Sequence, residues 1–425
     1  MNEVLVINAS QIVTPIGKRA LRGEEMRNVT VIEDGAIFIC DGIIEKVGPK
    51  EEVLDYLENK KGPAFLKDVY IIDAENKAVI PGFVDSHTHF VFGGYREEEF
   101  LNRLSGMEYM EIMKRGGGIM STVGATRSSS FDDLYNLGMQ RLKSMLSQGI
   151  TTVEGKSGYG LDYETEIKQL EVMKKLDGNQ PVDIVTTYLG AHASSDFYPD
   201  NMEYVSFMLD KVLPYIKENK LATFCDVFCE DSVFSLDESE RLLSCAAELG
   251  FDIKLHADEI VSLGGAVLAG RLRAVSADHL LMVSDEGIAA LKENDVIATL
   301  LPCTAFCLNK VFAPARKIID SGCAVALASD LNPGSCFANS VSLMLALACI
   351  KMNMSVEEAL TALTLNGAAA CKRADTVGSI EEGKRADLCI LDYPSYKFLI
   401  YHTGTNIVHK VIKGGEVVYE DTICK

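Results

Sequence analysis

Eight short apolar runs, each followed by residues with helical spacing, fill the middle of the chain. They are VIPGFVDSHTH (79–89), GITTVEGKSG (149–158), DIVTTYLGAHA (183–193), FCDVFCEDS (224–232), DIKLHADE (252–259), AVSADHL (274–280), VIATLLP (296–302) and AVALASD (324–330). Nearly continuous Val, Ile, Leu, Ala and Cys is what parallel strands covered on both faces require. The segments between them, such as FDDLYNLGMQRLKSMLSQ and VEEALTALTLNGAAACKR, repeat apolar residues at helical intervals. Eight such units in order predict an α/β fold, a (β/α)8 TIM-like barrel over 77–379, in preference to an open doubly wound sheet.

The two ends read differently. Residues 1–76 hold β-branched runs broken at Asp34-Gly35 and Asp41-Gly42, and the tail repeats that character in ADLCILD and VHKVIKGGEVVYE, turning at Gly414-Gly415. Residues 1–76 and 380–425 are therefore expected to form one small β-sandwich domain built from both termini.

Forty-one basic against 61 acidic side chains leave a net charge of −20. That argues against a nucleic-acid partner, because phosphate binding needs a basic surface. A small anionic substrate would need a local positive site, such as a metal ion with one or two cationic side chains. The longest apolar run, around Leu343 to Ile350, is about half the ~18–20 residues of a membrane span. The first ten residues do not read as a secretory signal. The expectation is a cytoplasmic protein without a membrane partner, whose 12 cysteines are reduced thiols. Cys225/Cys229 and Cys303/Cys307 have metal-like spacing, but lie in or beside buried strand patterns and read as core residues.

In such a barrel, chemistry sits where strands end at the C-terminal face. The polar residues there are His87 and His89, Lys156, His192, Glu230, His256 with Glu259, His279 and Asp330. Five of the seven histidines thus fall at one end of one barrel, while His402 and His409 lie in the C-terminal β region. His-x-His puts two imidazoles on one face of a strand. Taken singly, each residue has a plainer role: His256 or His279 as a hydrogen-bonded structural histidine, Asp330 as a helix cap. Their recurrence at the ends of apolar strands points instead to imidazoles plus one carboxylate around a catalytic ion. Two-metal sites often use a bridging lysine on the fourth strand, and FCDVFCEDS has none. Lys156, on the second strand, has a salt-bridged structural role as its plainer reading. One divalent or trivalent metal ion per subunit, zinc or iron, is expected on His87, His89, His256 and Asp330.

At these residues a resemblance emerges. PGFVDSHTH, KLHADE, SADHL and ASDLNPGS, with β segments at both ends, resemble the amidohydrolase superfamily. VFGGYREEEF, STVGATR, VEGKSGYGLD, YLGAHA, DVFCED and YHTGTN are similar to its branch that opens the imidazolone ring in histidine degradation. The likeness runs through nearly the whole chain, with two small departures: Gly155 in place of a β-branched residue, and SSDFYPD after YLGAHA without an early proline. It implies hydrolysis of the cyclic amide C–N bond of 4-imidazolone-5-propanoate to N-formimidoyl-L-glutamate. It also implies a substrate pocket of Arg96, Tyr159, His192, Glu259, Asn332, Gly334 and Ser335. Arg96 offers a fork that suits the propionate carboxylate, although an arginine in such acidic sequence commonly pairs at the surface, here with Glu97 or Glu98. Glu259, His279 and Asp330 are the expected catalytic groups. Which of them moves which proton stays open at this stage. A heterocycle deaminase with the same ligand pattern and a non-catalytic scaffold relative are the alternatives. A homodimer is the default assembly.

Overall fold

The computed structural model describes residues 3–67, 69–107, 111 and 117–422. The N-terminal segment supplies β1 (Glu3–Pro15), β2 (Val29–Cys40), β3 (Ile43–Pro49), β4 (Tyr70–Asp73) and β5 (Ala78–Pro81). The middle supplies β6 (Phe83–Thr88), β7 (Ile150–Lys156), β8 (Asp183–Ala191), β9 (Phe224–Cys229), β10 (Asp252–Ala257), β11 (Ser276–His279), β12 (Ile297–Leu300) and β13 (Val325–Leu327). The tail adds β14 (Leu388–Leu391), β15 (Val408–Lys413) and β16 (Glu416–Glu420).

Strands β6 to β13 pair in chain order, each parallel to the next, as the eight apolar runs predicted. The ring closes just beyond β13. There Asp330 N–H donates to the His87 carbonyl at 3.0 Å, and His89 N–H donates to the Leu331 carbonyl at 2.9 Å. The Asp85 carboxylate accepts from Ser329 N–H at 2.9 Å in the same seam. Helices begin where the sequence supplies a cap. Ser130, Asp162 and Ser235 each accept from a backbone N–H of the first turn, opening Phe131–Ser147, Tyr163–Asp177 and Leu236–Glu248. Gly155 in β7 has a packing reason: a Cβ there would lie 2.6 Å from Phe90 Cε1 and 2.5 Å from Met173 Sδ.

The terminal strands join as one mixed sheet in the order β16-β15-β14-β5-β1-β2-β3, with β4 also on β1. The sheet curls over itself. Ile37, Ile39 and Ile44 from one end share a core with Leu388, Ile390 and Ile412 from the other, and Ala386 N–H reaches the Gly42 carbonyl at the β2–β3 turn. Helix Lys50–Lys61 covers the outer face through Val53 and Leu57. Residues 79–81, read from sequence as the head of the first barrel strand, pair with β1 and β14 instead. By backbone pairing, the junction therefore falls after Pro81. Gly82 lets the backbone pass close to Thr151, since a Cβ would stand 2.4 Å from Thr151 Oγ1.

Candidate metal centre and its pocket

The alternation of β6, continued one residue past its end, sends His87 and His89 to the barrel mouth, and β10 brings His256 beside them. One ligand nitrogen from each lies within 4.8 Å of the others, and all three residues are buried. Asp330 Oδ1 stands 3.7 Å from His87 Nε2 and 3.5 Å from His89 Nε2, while Thr304 Oγ1 donates to Asp330 Oδ2 at 2.7 Å. The closing seam thus sets the β6 pair against Asp330 through backbone hydrogen bonds. Asp330 (φ 51°) and His279 (φ 78°) both occupy the left-handed region, which is costly for residues with a Cβ and typical of functional sites.

Burial pushes the His87, His89 and His279 imidazoles well below their ordinary range. They are neutral, the form that ligates a metal. His256 differs: burial lowers it, but the adjacent Asp226 carboxylate outweighs burial and raises it. Nε2 of both His87 and His256 is buried without a hydrogen-bond partner. Orphaned buried acceptors of this kind are expensive, and here they gather around a carboxylate. The chemistry and placement of the four groups fit one metal ion.

Beneath them lies a charged layer rather than an apolar core. Glu154, Lys156, Asp226, Lys254 and Asp278 are all wholly buried. Lys156 Nζ contacts Glu154 Oε1 and Asp226 Oδ2, each at 2.8 Å, and Lys254 Nζ contacts Glu154 Oε2 at 2.7 Å. Thr187 also hydrogen-bonds Glu154. His87 Nδ1 sits 2.6 Å from Asp278 Oδ2, and His256 Nδ1 sits 3.1 Å from Asp226 Oδ2. Carboxylates behind ligand imidazoles orient the rings and select the tautomer. Glu230, just past the end of β9, contacts none of these groups and accepts from Ile260 N–H at 2.7 Å.

Arg96, Tyr159, His192, Glu259, Asn332, Gly334 and Ser335 all line one cavity of about 250 Å³ that also reaches His89, His256, His279 and Asp330. Arg96 pairs with neither Glu97 nor Glu98. It forms a bidentate pair with Glu99 at 2.9 and 2.6 Å. Its Nη1 is packed against Gly334, where a Cβ would stand 2.1 Å away. Arg103, two turns further along and on the same face of helix Glu97–Leu104, which Arg96 precedes, donates to the Gly334 carbonyl at 2.9 Å and lines the cavity too. Asn332 organises the loop: its Oδ1 accepts from Gly334 and Ser335 N–H at 2.8 Å each, and its Nδ2 donates to Ser335 Oγ at 2.7 Å. The His192 ring stacks on His89 at 4.9 Å, and burial lowers its pKa to about 3. Glu259 Oε1 is 3.5 Å from His279 Nδ1; burial, then the Asp330 charge, push its carboxyl up to about 8. Asp330 is raised to about 6 by burial.

Sequence reasoning passed over Glu99, Arg103, Thr304 and four of the five members of the charged layer. A signal for the last was present. A charge in the middle of FCDVFC or DIKLHA has only the barrel interior to face.

The fold and this site define an amidohydrolase, and the Amidohydrolase family matches residues 105–419. An adenosine deaminase from Xanthomonas campestris, solved with bound zinc, superposes with a TM-score of 0.70 at 20% identity, over 98% of this chain and 92% of its own. A guanine deaminase from E. coli gives 0.72 at 16% identity, over 99% and 100%. At such identities the likeness establishes the fold. Sequence relatives go further. A protein named imidazolonepropionase from Parabacteroides distasonis is 58% identical over 423 residues, 98% of this chain and 99% of the relative. One of the same name from Clostridium tetani is 56% identical over 98% of each chain. The chain belongs to the imidazolonepropionase family.

Proposed function

We propose that this enzyme hydrolyses the ring C–N bond of 4-imidazolone-5-propanoate to N-formimidoyl-L-glutamate, the ring-opening step of L-histidine catabolism. The carrying observation is that one cavity joins His89, His256 and Asp330, which cluster with His87, to Arg96 and Arg103. A heterocycle with a carboxylate tail matches both ends of such a cavity.

A zinc or iron ion on those four residues would supply Lewis acidity toward the ring carbonyl and acidify water for attack. The protein groups do the rest. Arg96, aimed by Glu99 and by Gly334, holds the propionate, with Tyr159 and His192 as hydrogen-bonding neighbours. Asp330, held by Thr304, takes the proton of the attacking water. His279, neutral, donates toward the carbonyl oxygen as negative charge develops there. Glu259, whose carboxyl burial and the Asp330 charge raise to about 8, gives its proton to the ring nitrogen as the C–N bond breaks.

Among the described residues, no helix is long and apolar enough to cross a membrane. The proposal includes a homodimer in the cytoplasm, acting on a small anionic substrate without nucleic-acid or membrane partners. Free cysteines throughout the described residues fit a reducing compartment. The test is loss of the imidazolone ultraviolet band on adding enzyme, run beside guanine and cytosine. Turnover of a nucleobase without turnover of the imidazolone would favour the deaminase reading.

A further inference from the structure

Lys156 plays no part in the reaction described above, yet it is one of the most deeply buried charges in the protein. Its ammonium is 2.8 Å from Asp226 Oδ2 and 3.7 Å from Asp278 Oδ2. Those same two oxygens face ligand imidazoles. Asp226 Oδ2 is 3.1 Å from His256 Nδ1, and Asp278 Oδ2 is 2.6 Å from His87 Nδ1. Each oxygen therefore lies between the one ammonium and a different histidine, on β10 for one and on β6 for the other.

We propose that Lys156 is a positioning residue: by bridging Asp226 and Asp278 it holds His87 and His256, from opposite sides of the barrel, in the orientation that binds a single metal ion. The inference rests on the metal-site reading. Its physical basis is that a buried carboxylate keeps its charge and place only when compensated. Three carboxylates meet two ammonium groups in this layer, and only Lys156 touches the two that face ligands. Lys254 provides the contrast. It is equally buried, but its Nζ reaches Glu154 Oε2 at 2.7 Å and the Ser86 carbonyl at 3.4 Å. A general loss of buried charge would act alike at both lysines, whereas a positioning role is confined to Lys156.

The experiment measures Zn²⁺ affinity of the full-length chain by competition with a chromogenic chelator, with circular dichroism confirming that each variant is folded. Lys156→Met is expected to weaken Zn²⁺ binding by about 10–100-fold, the usual cost of losing support behind ligand histidines. Lys254→Met should lower thermal stability while keeping affinity within about three-fold of wild type. If Lys156→Met does not fold, Asp278→Asn removes the carboxylate charge between Lys156 and His87 while leaving Lys156 paired with Glu154 and Asp226, and should weaken binding by about ten-fold or more. Wild-type affinity in folded Lys156→Met, equal weakening in Lys254→Met, or unchanged affinity in Asp278→Asn would each overturn the proposal. A wild-type chain that binds no Zn²⁺ would instead overturn the metal-site reading.

Discussion

The backbone N–H of Asp330 donates to the backbone carbonyl of His87 at 3.0 Å, so two of the four proposed metal ligands are joined by the hydrogen bond that closes the barrel. The eighth run ends in a residue with φ of 51°, which turns its carboxylate toward the histidine pair. The contacts that close the barrel also set the positions of residues in the site. Loosening the seam is expected to lower both stability and metal binding.

Gly334 is required by Arg96. A methyl group at Gly334 would stand 2.1 Å from Arg96 Nη1, forcing the guanidinium off the position that Glu99 aims it toward. Gly334→Ala is expected to raise KM for the imidazolone by about ten-fold or more while changing kcat much less, the pattern of a lost ground-state contact. Steady-state kinetics decide it, and an unchanged KM would remove Arg96 from the carboxylate grip.

Glu259→Gln should retain metal and lose about 10²-fold or more in kcat, the usual cost of removing an acid–base group. The same variant gives a pH test in the chelator-treated protein. Burial and the Asp330 charge raise the Glu259 carboxyl to about 8 in the folded chain, whereas unfolded it ionises near ~4.3. Between those values the folded chain keeps a proton that the unfolded chain has released, so this group's contribution to stability falls as pH rises. Wild-type Tm should therefore drop relative to Glu259→Gln between pH 5 and pH 8. A constant difference in calorimetric Tm would show that the carboxyl is ionised throughout.

Gly155 is the small residue that β7 needs beneath Phe90. Gly155→Val would place a Cβ 2.6 Å from the Phe90 ring, and Phe90 follows His89 directly with its carbonyl held by Arg141 at 2.8 Å. Overpacking of this kind costs about 1–3 kcal/mol. Urea unfolding monitored by circular dichroism should show a lower midpoint at similar slope, and an unchanged midpoint would mean that the core yields freely.

The barrel and its first ring of functional groups were legible in the sequence, because buried parallel strands leave unbroken apolar runs and a histidine or aspartate at the end of such a run stands out. What lay beyond was set by three-dimensional proximity. Arg96 chose Glu99, three residues on, because that spacing shares a helix face, whereas Glu97 and Glu98 point elsewhere. Asn332 lines the cavity and also shapes the loop that carries Gly334 and Ser335, a role that its place in the sequence does not show. The left-handed backbone of His279 leaves no trace in composition. Strand β5 was merged with β6 because Pro81-Gly82 interrupts one apolar run without changing its character.

The most direct test of the account is to measure bound metal and imidazolone turnover on the same sample, before and after chelation. The purified chain should carry one zinc or iron ion, lose both ion and turnover to the chelator, and regain turnover on adding back the metal, while His87→Ala and His256→Ala do neither. Full turnover in a metal-free sample, or one tightly bound ion with both histidines replaced, would contradict it.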